Sequence, residues 1–203
     1  MARFESSTFG KISGKHGTSV AAIRKDGLCI LKVYRVASNP NTGGQKTQRG
    51  KFGFAMKQLN CFRGIISQTS GSQYGLNKVL GHAVKTAISG KFPDFILDYG
   101  SIQISIGSLA KTATIQVRMS DSNILSVNWN INEETDIDTL HIVLLQALTK
   151  EIMEKKISLT QTEGQFLLEI PQRWLGDTIH AWVYFSSTLK RTYSTSQYIS
   201  VNK

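Results

Sequence analysis

Apolar and polar residues change their spacing along the chain, and each change predicts a different kind of element. Between residues 9 and 36, β-prone runs are punctuated by glycine, as in Phe9-Gly10-Lys11-Ile12-Ser13-Gly14-Lys15-His16-Gly17. Asp26-Gly27 separates two such runs, and this dipeptide suits a type I′ turn, where both central residues need φ > 0. Residues 18–25 and 28–36 are therefore expected to pair as antiparallel strands. A lone hairpin is marginal in water, so it must rest on the remaining fold or on another subunit.

After the loop-like stretch 37–45 the spacing becomes helical. Phe52, Met56, Leu59, Phe62 and Ile66 recur at three and four residues, predicting a helix from Gln45 to about Ser67. Thr42 and Gln45 have the spacing of a capping box. Gly50, Gly53 and Gly64 each weaken this helix by roughly 1 kcal/mol relative to alanine, so it needs tertiary support. A second helix is expected from about Tyr74 to Ile88, ended by Gly90 with Pro93 just beyond.

From Pro93 onward the pattern alternates with period two. Strands are expected at 95–99, 102–106, 113–119, 123–131, 139–148, 151–159, 165–170, 178–187 and 192–201, with turn residues about every ten positions. Such spacing predicts a sandwich or barrel rather than βαβ units. Trp129 and Tyr184 are placed in an aromatic core of fibronectin-III or immunoglobulin-like type, and the absence of a cysteine pair there favours the former. The fold class is thus mainly β (α+β overall). A basic N-terminal hairpin arm with two helices (1–92) precedes a sandwich domain (93–203).

Charge sharpens this division. The chain carries +10, with 24 Lys/Arg against 14 Asp/Glu over 203 residues. Residues 1–92 hold fifteen bases against Glu5 and Asp26, a balance of +13, and the remainder carries −3. A half-molecule with two acids maintains a positive field that favours an anionic partner. Lys11, Lys15, Arg24, Lys25, Lys46, Arg49 and Lys51 fall at glycine-rich or loop-flanking positions, where they can reach phosphates. Phe9, Tyr34, Phe52 and Phe54 add stacking groups nearby. No RNA- or DNA-binding signature accompanies them, so a nucleic-acid contact would be electrostatic and sequence-independent. Phe9, Gly10, Gly14, Gly17, Asp26 and Gly27 are read as an assembly arm.

Catalytic and metal chemistry find little support. His16, His82, His141 and His180 lie far apart in separate expected elements without metal-ligand spacing. His180 is expected to face solvent from a strand. The Gly10–Gly17 stretch fails as a phosphate loop because His16 follows Lys15 where Ser or Thr is required. Glu133, Glu134, Asp136 and Asp138 lack the calcium-loop pattern and read as a solvated loop. Cys29 and Cys61 form no disulfide framework. No apolar run is long enough to span a membrane. The N-terminus lacks a secretory core, so cytoplasmic production is expected.

Several stretches resemble an uncharacterised family of Bacteroidota and their mobile elements, labelled a domain of unknown function. They are Phe9 to Gly17, Asn39-Pro40-Asn41-Thr42 with Gln45, Arg49, Lys51 and Phe52, and Ala87 to Phe95 with Asp98 and Tyr99. Gly107-Ser108-Leu109 and Ile170-Pro171 with Trp174, Gly176, Asp177, Thr178, His180 and Ala181 complete the pattern. Gly43-Gly44 depart from it, and the two cysteines are not part of it. The N-terminal signature is also similar to arms of phage-encoded proteins. The resemblance implies layout and origin and brings no activity. The expected function is a non-enzymatic assembly subunit, homo-oligomeric or heteromeric, without cofactor, of a virion or phage-like particle. Two alternatives are a nucleic-acid-binding accessory protein and a surface carbohydrate- or protein-binding module using Trp174 or Trp182.

Overall fold

Short β-prone runs separated by glycine build a small antiparallel sheet at the N-terminus of the computed structural model. The structure describes residues 2–3, 10–36, 38–70, 73–109, 113–119, 123–131 and 137–201. Phe9 and the acidic residues Glu133, Glu134 and Asp136 lie outside them. Strands β1 (Ala2–Arg3), β2 (Gly14–His16), β3 (Ser19–Ile23) and β4 (Cys29–Val33) form one sheet in the order β1-β4-β3-β2. The expected hairpin is therefore its centre, with Ser19 opposite Val33 and Ile23 opposite Cys29.

The turn differs from the two-residue type I′ loop. Arg24 N donates to Leu28 O and Gly27 N donates to Arg24 O, both at 2.9 Å, leaving a three-residue loop of Lys25, Asp26 and Gly27. Only Gly27 has a left-handed φ, +78°, because a tight turn closed by one glycine needs φ > 0 at that position alone. Asp26 instead accepts a hydrogen bond from Leu28 N at 3.1 Å.

Residues Met1–Thr42 form one compact unit and Gly43–Lys203 a second. The division expected at 92/93 differs from this, because the helices share a core with the sandwich. Helix α1 (Gly43–Leu59) runs through a 3-10 turn (Asn60–Phe62) into α2 (Arg63–Ser70), followed by α3 (Gln73–Thr86). Gly50 is where α1 meets the next hairpin: a Cβ there would lie 2.8 Å from the Phe92 ring. That hairpin, β5 (Ile88–Lys91) with β6 (Asp94–Leu97), replaces the expected end of the second helix. Gly90 sits within it at φ +90° rather than capping a helix, and the Phe92–Pro93 bond is cis.

The sandwich proper starts later than Pro93. Among the described residues β6 pairs only with β5, and residues 102–106 form no strand. Ile104 N and Ser105 N instead donate to Ser196 Oγ at 2.8 and 3.3 Å, and Ser105 Oγ donates to Ser194 O at 2.7 Å. Ser196 N also donates to Ser105 O at 2.9 Å, so serine hydroxyls and this backbone bond take the place of a ladder. Gly107 follows, so close to the Tyr193 carbonyl that a Cβ would stand 1.8 Å from its oxygen.

Strands β7 (Ala113–Met119), β8 (Ile124–Ile131), β9 (Thr139–Gln146), β10 (Ile152–Ser158), β11 (Glu163–Glu169) and β12 (Ile179–Ser187) follow the expected positions, whereas the single strand expected at 192–201 is divided into β13 (Thr192–Tyr193) and β14 (Gln197–Ser200). They make two sheets, β11-β8-β7 and β10-β9-β12, with β13 and β14 both pairing with β12. This is a fibronectin-III-like β-sandwich. Leu125, Val127 and Leu168 face Leu140, Ile142, Leu144, Val183 and Phe185 across its interior.

The opposite face of the larger sheet is also buried. Val143, Leu145, Trp182 and Tyr184 pack with Leu59, Phe62, Ile66, Leu80 and Val84 of the helical segment. Trp182 meets Phe62 edge-on, with ring centroids 5.0 Å apart. Tyr184 therefore belongs to the helix–sheet core rather than the sandwich interior, whereas Trp129, on the central strand of the small sheet, lies half-buried against the sandwich core over Gly164. Helices, large sheet and small sheet make three layers, and both β9 and β12 are central.

Candidate functional site

The basic residues expected to reach phosphates fall in two places. Lys11, Lys15, Arg24 and Lys25 are exposed in the first unit. There Gly10, Gly14, Gly17 and Gly27 all have positive φ. Lys15 stands over the Tyr34 ring at 4.0 Å, a cation–π contact, and Arg24 pairs with Asp26 at 3.3 Å across solvent. Exposed pairs of this kind contribute little to stability. Lys46 and Arg49 occupy neighbouring exposed positions on α1, whereas Lys51 is half-buried. At 100° per residue it lies about 140° round the helix from Lys46, so these three form no single stripe.

The histidines are not isolated. Residues 180, 182, 184 and 186 of β12 share one face, the face that meets the helices, and strand alternation puts His141 of β9 beside them. The helices cover the middle of this face at Trp182 and leave a polar cluster at each end.

At one end the ring of buried His141 stacks on Tyr184, with centroids 4.4 Å apart and planes at 10°. Its Nδ1 lies 3.3 Å from Glu154 Oε1 and its Nε2 lies 2.9 Å from Ser186 Oγ. A carboxylate only accepts, so Nδ1 carries the proton and Nε2 accepts from the serine. Burial holds the imidazole below its ordinary value, against the pull of Glu154. Tyr184 donates to the same Glu154 oxygen at 3.1 Å, and burial together with that charge pushes its phenol up. The serine–histidine–glutamate order is that of a nucleophile relay. Here Ser186 sits within a strand instead of at a strand-to-helix elbow, and the tyrosine shares the carboxylate. The arrangement satisfies the polar atoms of two buried rings.

At the other end half-buried His180 stacks on Tyr99, centroids 4.1 Å apart, and its Nδ1 lies 2.9 Å from Tyr198 Oη. Lys150 Nζ bonds the Tyr99 hydroxyl. Burial, with the Lys150 charge, lowers the His180 pKa, and burial, with Asp98, raises that of Tyr198. The expectation of a plain solvent-facing histidine thus gives way to a packed one. Tyr198 continues into a cleft of about 410 Å³ floored by Gly100, Ser101 and Ile102 and walled by the last turns of α3. Sequence spacing could not find this site, because Tyr99, His180 and Tyr198 come from three distant segments.

The stretch Ile170 to Ala181 forms a corner. Trp174, 1% exposed, donates from its indole to Glu151 at 2.8 Å, and Arg173 grips the same carboxylate. Gly176 turns at φ +85°, and Asp177 accepts from Gln146. Trp174 and Trp182 are both buried, which removes them as an exposed binding platform. Among the described residues no three His, Cys, Asp or Glu side chains gather as a metal site, and no helix is long and apolar enough to cross a membrane.

The family described as "Family of unknown function (DUF6266)" matches residues 11–200. The chain belongs to this family. The DUF6266 match takes in every described strand of the sandwich and all three helices. No curated protein matches the DUF6266 chain significantly. Among solved structures, the chicken CNTN1 FN1–FN3 domains are similar at 16% identity with a TM-score of 0.33. That likeness covers 48% of this chain and spans about a third of the chicken protein's chain, 33%.

Proposed function

We propose that this DUF6266 protein is a non-enzymatic assembly subunit whose N-terminal sheet docks on a second copy of the chain. One observation carries the reading. Among its described residues the first unit buries only Ala21, Cys29 and Ile30 as apolar core, while Ile23, Val33, Tyr34 and Val36 are 45%, 71%, 43% and 81% exposed. A sheet with so little buried apolar area gains little from its own packing and more from covering that surface. The second unit, with two apolar clusters, serves as the folded body. The assembly is read as a virion or phage-like particle, built from subunits made in the cytoplasm, because the exposed bases of the first unit suit a surface facing an encapsidated nucleic acid.

Size-exclusion chromatography with light scattering tests this on the full chain and on residues 43–203. The full chain is expected to form a defined oligomer, and the shorter one a cooperatively folding monomer. A full chain that stays monomeric at high concentration overturns the reading.

A second reading, a sequence-independent nucleic-acid-binding protein, rests on the exposure of Lys11, Lys15, Arg24 and Lys25, with Asp26 the one acid among the described residues of the first unit. Its signature is affinity that falls steeply with salt, less steeply in a variant with Lys11, Lys15 and Arg24 changed to Ala. Absence of binding at low salt rejects it.

A further inference from the structure

The cleft beside Tyr198 has a lining whose chemistry narrows its ligand. Among the described residues that line it there is no Lys, Arg, Asp or Glu, in a protein of net charge +10. The one imidazole in the lining is His82, whose Nδ1 lies 3.2 Å from Thr86 Oγ1. No permanent charge therefore faces an anion or an amine, and a single imidazole without a carboxylate makes no metal site. An apolar ligand is equally unsuited, because the walls present Thr86, Ser101 and Ser196 hydroxyls and the amides of Gln103 and Gln197. Each glutamine amide offers donors and an acceptor side by side, which matches adjacent hydroxyl groups. The half-buried Tyr198 ring, with the His82 imidazole also in the lining, supplies an aromatic surface of the kind that packs on an apolar ring face. The size, about 410 Å³, lies within the roughly 300–1,000 Å³ of small-ligand clefts.

The walls are held in place from behind. Asp98 accepts from Gly100 N at 2.9 Å and from Ser101 Oγ at 2.5 Å, so both its oxygens are occupied within the turn. Trp182 Nε1 donates to Ile102 O at 3.0 Å, Ser196 Oγ accepts from Ile104 N, and Tyr198 is fixed to His180. Side chains anchored this way present their polar groups at low ordering cost.

We infer that this cleft, formed by the last turns of α3, the turn at 99–103 and β14, is a binding site for a neutral saccharide. The inference stands apart from the assembly reading: the cleft lies wholly within the second unit, and either can fail alone.

The test is an NMR titration of the full-length protein, labelled with nitrogen-15, with methyl glycosides and neutral trisaccharides of glucose, mannose, xylose and N-acetylglucosamine. Inorganic phosphate and a neutral Ser-Gly peptide are the comparison probes. Saturable shifts centred on residues 99–103 and 196–198 are expected with at least one sugar. Affinity should fall roughly tenfold when Gln103 and Gln197 are both changed to Ala, through lost hydrogen bonds. A response to trisaccharides alone identifies a glycan chain as the source, and a response to the methyl glycosides a free sugar. No saturable shift with any sugar at tens of millimolar overturns the inference. So do shifts that persist unchanged in the double variant, or a stronger response to phosphate or peptide. Gln165→Ala, on the outer face of β11, is the control expected to leave binding unchanged.

Discussion

The two units of this chain use apolar residues in opposite ways. In Gly43–Lys203 the large sheet is covered on both faces, and Val143, Leu144, Leu145 and Trp182 are all at most 1% exposed. In Met1–Thr42, strand β4 begins with buried Cys29 and Ile30 and ends with Val33 at 71% exposure. The first arrangement makes stability a property of the fold, since each central strand is held by two layers. The second leaves apolar surface uncovered, and such surface favours association.

The largest test of this contrast is Trp182→Ala. It removes the indole that contacts Phe62 and Ile102 between helices and sheet, and should cost about 4 kcal/mol in denaturant unfolding followed by circular dichroism. A loss below ~1 kcal/mol would show that the helical layer does not depend on the sheet. Gly107→Ala should cost roughly 2 kcal/mol, because the Tyr193 carbonyl must move to admit a Cβ. The same unfolding curves read it, and an unchanged midpoint would refute the close approach.

The next test is pH. Burial lowers the folded-state pKa of both His141 and His180 from the ordinary 6.5. Above that value neither state binds the proton and stability is unaffected. As pH falls below it the unfolded chain takes up protons that the folded one resists, so stability is lost with acidification. The thermal midpoint should hold between pH 8 and 7 and decline toward pH 5. Replacing both histidines with Gln should flatten that decline, and an equal decline in the double variant would assign it elsewhere.

Smaller effects are expected in the first unit. Gly27→Val places a β-branched residue at φ +78°, costing about 1–2 kcal/mol locally. Hydrogen exchange should quicken over residues 19–33 while the transition of the second unit stays in place. Movement of that transition would mean that the units unfold together. Val33→Ser should change stability by less than ~0.5 kcal/mol yet weaken self-association in sedimentation experiments. Unaltered association would exclude Val33 from the contact.

Much of the fold was readable from local spacing. The strands from Ala113 onward follow period two and turn residues closely, and α1 to α3 follow helical spacing. Misreadings occurred where contacts from elsewhere replaced local preference. Ile88 carries the helical pattern onward, yet it pairs with Leu97 in a hairpin. Residues 102–106 alternate like a strand, yet Ile104 and Ser105 bond to Ser194 and Ser196, and Ile102 O accepts from the Trp182 indole. One signal was available and pointed to the third layer. Leu140 to Leu145 is apolar at nearly every position, the mark of a strand buried on both faces.

By itself the sequence determined the type and order of most elements, the basic character of the first 92 residues and the absence of familiar catalytic spacing. Those are properties of neighbouring residues, and a period of 2 or 3.6 records which side of one element avoids water. Only the tertiary structure decided that the helices cover the sandwich, that Trp174 and Trp182 are buried, and that His141 meets Glu154 and Ser186. It alone brought Tyr99, His180 and Tyr198 together beside the cleft between α3 and β14. Their separation in sequence is closed by packing and hydrogen bonds that appear only once both faces of β12 have found their partners, and no local periodicity encodes which partners those are.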